Sequence, residues 1–262
     1  MTPFRLLGGL LLSLVLSSGA AQTVAEVQKL PLVHDPSLKT PRAQLSTADQ
    51  QAVTTLARTL NARPEIQGLK QKWPYSKGAQ PNDVLFTITA PFRSGTPERL
   101  TVFNIYEGEP PVLLFVLSGS GGITADLIEP VWNMNLCIVQ QGYSLRDVDQ
   151  NGLREVAFSI GCGDGPWRSR TLYIVRYGQD RWAFWRSFPV ESSFGAESEG
   201  SEEQVKIYIQ KGQTPQFYGV LNRKAWEINS TSKKSSVPDV TVGVIKYAPT
   251  SLNEAWRVRH LF

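Results

Sequence analysis

The chain has 262 residues, 41% hydrophobic and 19% charged, with 21 glycines and 17 prolines. That balance fits one ordinary globular domain, or one with a small appendage, and it excludes collagen and bulk disorder. The 27 basic and 23 acidic residues leave a formal net charge of +4, too small and too scattered for a nucleic-acid footprint.

Arg5 precedes an apolar run from Leu6 to Leu16, and Ser17, Ser18, Gly19, Ala20 and Ala21 follow. Charge, apolar core and small residues in that order predict a signal peptide over residues 1–21, cleaved after Ala20 or Ala21. The mature protein is then expected to be exported, periplasmic or extracellular. Beyond residue 20 no run approaches the roughly 18 apolar residues of a spanning helix, so no stable membrane insertion is expected after cleavage. Residues 22–45 carry Pro31, Pro36 and Pro41 and read as a tether or irregular strap of low order.

Residues 46–81 read as a helix and a connection. Ser46 is placed to cap a helix whose apolar residues Ala52, Val53, Leu56, Ala57 and Leu60 recur at helical spacing, with Asp49 in the first turn. It is expected to stop near Asn61, ahead of Pro64, and to pack on a sheet edge.

Residues 82–262 read as strands. Four segments have the layout of hairpins: 100–118, 171–190, 204–221, and 241–262 around Pro249. Val84, Phe86 and Ile88 before the first of these mirror Val156, Phe158 and Ile160 before the second, a spacing of two similar three-stranded units that leans toward a duplication. The segment 118–122 lacks the lysine of a P-loop and the spacing of a nucleophile elbow, and reads as a flexible connection before a possibly helical 123–129. Residues 191–203, rich in glutamate, and 230–236, with Lys233 and Lys234, read as solvated loops. The fold class expected is mainly β, with antiparallel hairpins forming a β-sandwich or an incomplete propeller-like assembly, and one short N-terminal helix.

Cys137 and Cys162 are the two cysteines. Their midpoint falls between Asp149 and Gln150, so a hairpin turning there would set them opposite each other at disulfide spacing. The alternative is two buried thiols. Between them lies Asp147-Val148-Asp149-Gln150-Asn151-Gly152-Leu153-Arg154-Glu155, with oxygen side chains at its first, third, fifth and ninth positions and glycine at the sixth. Alternate oxygen ligands converging in a tight loop suit calcium, which takes six to eight hard donors, and the carbonyl of Leu153 would add one more. An EF-hand needs a carboxylate at the twelfth position; here that residue is Phe158, inside a strand-like run.

Asp-x-Asp-x-Asn-Gly-x-x-Glu running straight into an apolar strand resembles the calcium loop of FG-GAP/VCBS repeats, the blades of integrin-α-like β-propellers. The resemblance covers the chain from Cys137 through the hairpin ending near Val190. It implies that Asp147, Asp149, Asn151 and Glu155 hold a structural Ca2+ with their side chains and Leu153 with its backbone oxygen. One such loop is present where propellers carry several, and about a dozen strands are readable where even four blades need about sixteen.

Two histidines, His34 and His260, offer no persuasive zinc site or catalytic triad. Asp126, Glu129 and Asp164 are the carboxylates available for paired acid–base chemistry, and Trp167, Trp182 and Trp185 are aromatics that could stack on a ligand. Trp182 and Trp185 differ in strand parity, so at most one of them faces the core. The sequence therefore points to an exported, calcium-stabilised β-domain of binding or cell-envelope structural type, not an enzyme, with an unknown protein or carbohydrate ligand. The alternative is an extracellular carboxylate-dependent, carbohydrate-active hydrolase with a structural calcium.

Overall fold

The computed structural model describes residues 22–38, 45–72, 76–106, 111–130, 137–140, 142–164, 166–195, 199–227, 239–248 and 256–262. The expected signal peptide and the 230–236 loop lie outside them. In chain order the elements are α1 (Val24–Val27), β1 (Leu32–His34), α2 (Thr47–Asn61), α3 (Pro64–Lys72), β2 (Val84–Ala90), β3 (Glu98–Asn104), β4 (Leu113–Gly119) and β5 (Gly122–Pro130). There follow β6 (Cys137–Val139), β7 (Tyr143–Ser144), β8 (Val156–Asp164), β9 (Trp167–Gly178), β10 (Arg181–Gly195), β11 (Glu199–Gln210), β12 (Gln216–Glu227), β13 (Asp239–Lys246) and β14 (Trp256–His260). Among the described residues, no helix is long and apolar enough to cross a membrane.

The strands form two open antiparallel sheets. One has five strands in the order β14-β5-β4-β3-β2; the other runs β13-β12-β11-β10-β9-β8-β6, with β1 added on β11 and β7 on β8. Alternation along each strand gives each sheet an apolar inner face, and the two faces pack on one another. Phe86, Leu100, Val102, Phe115 and Ile128 of the smaller sheet meet Val156, Phe158, Tyr173, Val175 and Trp182 of the larger. Of the two arrangements expected, the sheets thus form the sandwich. The similar three-stranded units β2–β3–β4 and β8–β9–β10 lie in opposite sheets, and Phe86 and Phe158, at matching positions, touch across the interface with ring centroids 6.3 Å apart. Strand parity sorts the tryptophans as expected: Trp182 is buried between the sheets, while Trp185 packs on the opposite face of the larger sheet, against Phe217.

The outer face of the smaller sheet is covered by α2 and α3. Ser46 caps α2 by accepting from the Asp49 amide, and Val53, Ala57 and Leu60 of α2 pack with Ile66 and Leu69 of α3 over Phe103, Leu114, Val116 and Leu127. This corrects two expectations. Pro64 does not only end the first helix; its fixed φ opens the second, where its missing N–H costs nothing. With two helices contributing, the apolar surface is wide enough to lie on the sheet face instead of its edge.

Three of the four hairpins form. β9 and β10 turn through Gln179 and Asp180, both at positive φ (53° and 61°) with Gly178 paired to Arg181, a two-residue turn whose twist matches its strands. The fourth does not form: β13 pairs with β12, whereas β14 crosses to the other sheet and pairs with β5. There His260 Nδ1 lies 2.8 Å from the fully buried Asp126. The 123–129 segment is strand β5, in a hairpin that closes with Gly119 opposite Gly122. The glutamate-rich stretch is also paired, since Glu191–Gly195 of β10 meets 200–204 of β11. Its charges are met across the strands by Arg170 (3.0 Å to Glu191) and Arg223 (3.5 Å to Glu203).

β10 pairs with β11 only through Glu191–Gly195, and β1 takes over beyond it, opposite Ile207 and Tyr208. The described part of the strap is therefore structured: Val27 is buried with Tyr208, Tyr218 and Val220, and Lys206 pairs with Asp35 at 2.7 Å. The Tyr143 hydroxyl donates to the Val33 carbonyl (3.0 Å) and so must accept from His34 Nδ1, 2.9 Å away. Burial, and then the nearby charge of Arg170, push the His34 imidazole down to about 4 from its ordinary 6.5. The fold thus holds His34 neutral, while the unfolded chain protonates it below pH 6.5. This contribution is present above that pH and is lost as pH falls from 6.5 toward 4, about 2 to 3 kcal/mol in all. Between pH 7 and 4.5, the wild type should lose that much more unfolding free energy than His34→Gln. Equal losses would contradict the assignment.

Cys137 sits opposite Cys162 in the β6–β8 ladder, and the two form a disulfide with their Cα atoms 4.1 Å apart. Closing a loop over a sequence separation of 25 stabilises the fold by about 3 to 4 kcal/mol. Urea unfolding of a Cys137→Ala, Cys162→Ala variant is expected to show a loss of that size, and an unchanged midpoint would contradict it.

Candidate metal centre

The loop from Leu145 to Glu155 joins β7 to β8, and its ends are fixed by the Leu145 amide donating to the Glu155 carbonyl (2.8 Å). Two left-handed residues make the turn, Gln150 at φ 62° and Gly152 at φ 87°. At Gly152 a side chain would meet no neighbour, so glycine is required by the backbone and not by space. Val148 is buried in an apolar cluster with Ala157, Leu172 and Ile174 of the larger sheet. The Arg154 amide donates to the Pro91 carbonyl (2.8 Å), which ties the loop to the β2–β3 connection of the other sheet.

These constraints turn three carboxylates onto one point. One oxygen each from Asp147, Asp149 and Glu155 lie within 4.8 Å of one another. Asp147 accepts from the Asn151 amide (3.0 Å) and the Gly152 amide (2.8 Å). Asn151 Nδ2 donates to Asp149 (3.1 Å), and Asn151 Oδ1 accepts from the Leu153 amide (2.8 Å). Glu155 is 1% exposed and accepts from the Val148 amide at 3.2 Å. Its burial first, and then the charges of Asp149 and Asp147, push its carboxyl up to about 7.

At this spacing each pair of negative charges repels by roughly 3 kcal/mol at an effective dielectric of about 20. The cations supplied by the chain offset only part of that. Arg176 lies 3.7 Å from Asp149, and Lys211 donates to the backbone oxygen of Asp147 at 3.3 Å. Arg154, a candidate counter-charge within the loop itself, instead sends its guanidinium to the Leu145 carbonyl (3.3 Å). Arg176 and Lys211 arrive from β9 and from the β11–β12 turn, and nothing in the local motif signals them. The donor set is all oxygen, with one member buried and unable to reach water, and it fits a hard divalent cation.

The other candidates do not gather around one point. Asp126 accepts from the Trp182 amide (2.9 Å) between the sheets, and burial raises its carboxyl above the usual range. Glu129, three residues on, faces the helices instead, with Lys72 at 3.3 Å and Arg259 at 3.6 Å. The two carboxylates therefore lie on opposite faces of β5 and do not form a pair. The side chain of Asp164 lies outside the described residues. His34 and His260 occupy separate places, one under the strap and one on the edge strand β14. The chain matches no family model, no characterised protein and no solved structure.

Proposed function

We propose that the 147–155 loop is a structural calcium site and that the protein is an exported, calcium-stabilised β-domain of binding or envelope-structural type. The observation that carries the reading is the convergence of Asp147, Asp149 and Glu155 within 4.8 Å, on a loop anchored to both sheets. Asn151 and the Leu153 carbonyl complete the donor set. The resemblance to FG-GAP/VCBS loops supports the same ligands, and the entry of the loop into strand β8 is what that pattern requires and what an EF-hand would not show.

A cation here offsets repulsion within a connection that ties β7 and β8 to the rest of the sandwich, so its work is to hold structure. Hydrogen exchange tests this locally: the amides of residues 147–155 are expected to exchange more slowly when calcium is added to chelator-treated protein, and magnesium should do much less. Unchanged exchange in that loop would contradict the reading. Export is tested separately by N-terminal sequencing of the protein from its native source, where a chain beginning at Ala21 or Gln22 is expected and one beginning at Met1 would contradict it.

A further inference from the structure

The short additions β1 and β7 apart, the two open sheets end on four strands, β2 and β14 in the smaller and β6 and β13 in the larger. A sheet edge presents backbone N–H and C=O groups without a ladder partner, and natural sheets protect it with short strands, irregular pairing, charged side chains or proline. Three of these edges are protected in such ways. β6 has three residues, β2 loses register between Val84 and Phe86, and β14 has five residues of which Arg257, Arg259 and His260 are basic. β13 is the exception. It runs for eight residues, its register on β12 is unbroken from Asp239 to Lys246, and between those two ends Val-Thr-Val-Gly-Val-Ile holds neither a charge nor a proline.

The ladder fixes which groups of β13 face outward. The Tyr247 amide, just past the strand, donates to the Phe217 carbonyl (3.1 Å), and bonded pairs alternate with unbonded ones along an antiparallel ladder. Thr241, Gly243 and Ile245 therefore bond to β12, while Val240, Val242, Val244 and Lys246 turn their N–H and C=O groups away from it. Among the described residues no strand pairs with that side of β13. The edge is also apolar where it is open, with Val242 54% exposed.

We propose that β13 is a dimerisation edge, on which the same strand of a second copy of this chain lies antiparallel about a two-fold axis through Gly243. In that register Val240 stands opposite the partner's Lys246 and Val242 opposite the partner's Val244, and symmetry supplies the reciprocal pairs. Each pair exchanges two backbone hydrogen bonds, so all the outward-facing residues of the strand are used. A shift of two residues either way carries one of them beyond the strand. The residue on the axis is glycine, so no side chain has to meet its own copy, and Lys246 is kept roughly 20 Å from the partner's Lys246 by the length of strand between them. Val242 gains the partner's Val244 as a cross-strand neighbour on one face, and Thr241 gains the partner's Ile245 on the other; β-branched pairs of this kind stabilise ladders. This self-complementarity selects a second copy over a foreign strand, and a two-fold contact closes at two chains because each edge covers the other. The assignment is independent of the calcium reading, since β13 contributes nothing to the 147–155 loop.

Sedimentation of the mature protein is expected to give the mass of two chains, falling to one on dilution. Val242→Pro removes an N–H that serves only the second copy, and proline is tolerated at an edge position of that kind. Its far-UV circular dichroism should match the wild type, while the dissociation constant of the dimer rises about tenfold or more. The register has its own readout. Residues opposed in an unbonded pair stand at disulfide spacing, as Cys137 and Cys162 do with their Cα atoms 4.1 Å apart, so Gly243→Cys is expected to form a covalent dimer under mild oxidation. A side chain at Gly243 meets no neighbour within its own chain, and the fold accepts it. Thr241→Cys, exposed but roughly 14 Å from its own copy in this register, should not cross-link. A wild type that sediments as one chain at every concentration, a dimer undisturbed by Val242→Pro, or equal cross-linking by the two cysteine variants would overturn the proposal. So would capture of strand-forming peptides from a displayed library by a monomeric wild type, with that capture blocked by Val242→Pro.

Discussion

Millimolar calcium is expected to raise the melting temperature of the chelator-treated mature protein by roughly 5 to 15 °C. The size follows from linkage: a ligand at 100 to 1,000 times its dissociation constant stabilises the folded state by about 2.7 to 4.1 kcal/mol. For a domain of this length each kcal/mol is worth about 2 to 4 °C. The informative variant is Asp147→Asn, Asp149→Asn, which keeps acceptor oxygens for the Asn151 and Gly152 amides but removes two of the three negative charges. In chelator it should melt close to the wild type, because lost repulsion offsets weaker hydrogen bonds. In calcium the rise should vanish. A wild type that melts at the same temperature in both buffers, or a variant that gains as much as the wild type, would contradict a structural ion.

Phe158→Ala is expected to cost about 3 to 5 kcal/mol, a large share of the 5 to 15 kcal/mol typical of a whole domain. Its ring is fully buried at the centre of the inter-sheet aromatic cluster, with Phe115 at 5.6 Å, Tyr173 at 5.7 Å, and Phe86 and Phe184 at 6.3 Å between centroids. No small rearrangement of one sheet fills the void, because the contacts come from both. The half-exposed Trp167→Ala serves as the comparison, with a loss below about 1 kcal/mol. The measurement is urea unfolding with a common slope. Similar small losses for both would mean that the two sheets are not joined through Phe158.

What could be read from the sequence was local or symmetric. Ser46 and Asp49 announce α2 because a cap is a four-residue event. Cys137 and Cys162 lie opposite one another because they are equidistant from the turn at 149–150, and a hairpin conserves that symmetry despite the irregularity between β6 and β7. The Asp147–Glu155 spacing concentrates carboxylates within nine residues, so the candidate ligands are readable before the rest of the chain is placed. What escaped depends on distant partners. Glutamates 191 and 203 look like loop residues until Arg170 and Arg223 stand beside them on neighbouring strands. β14 pairs with β5, far away in sequence, where His260 meets the buried Asp126, and nothing near β14 in the chain signals that partner. The strap orders because Tyr208, Tyr218 and Val220, on the wetter face of β11 and β12, need the cover that Val27 supplies.

The most direct test of the account is calorimetric titration of calcium into chelator-stripped mature protein, run in parallel on the Asp147→Asn, Asp149→Asn variant. The loop predicts saturable binding of one ion per chain by the wild type and none by the variant. No heat of binding in the wild type, or undiminished binding by the variant, would contradict it and reduce the loop to a turn.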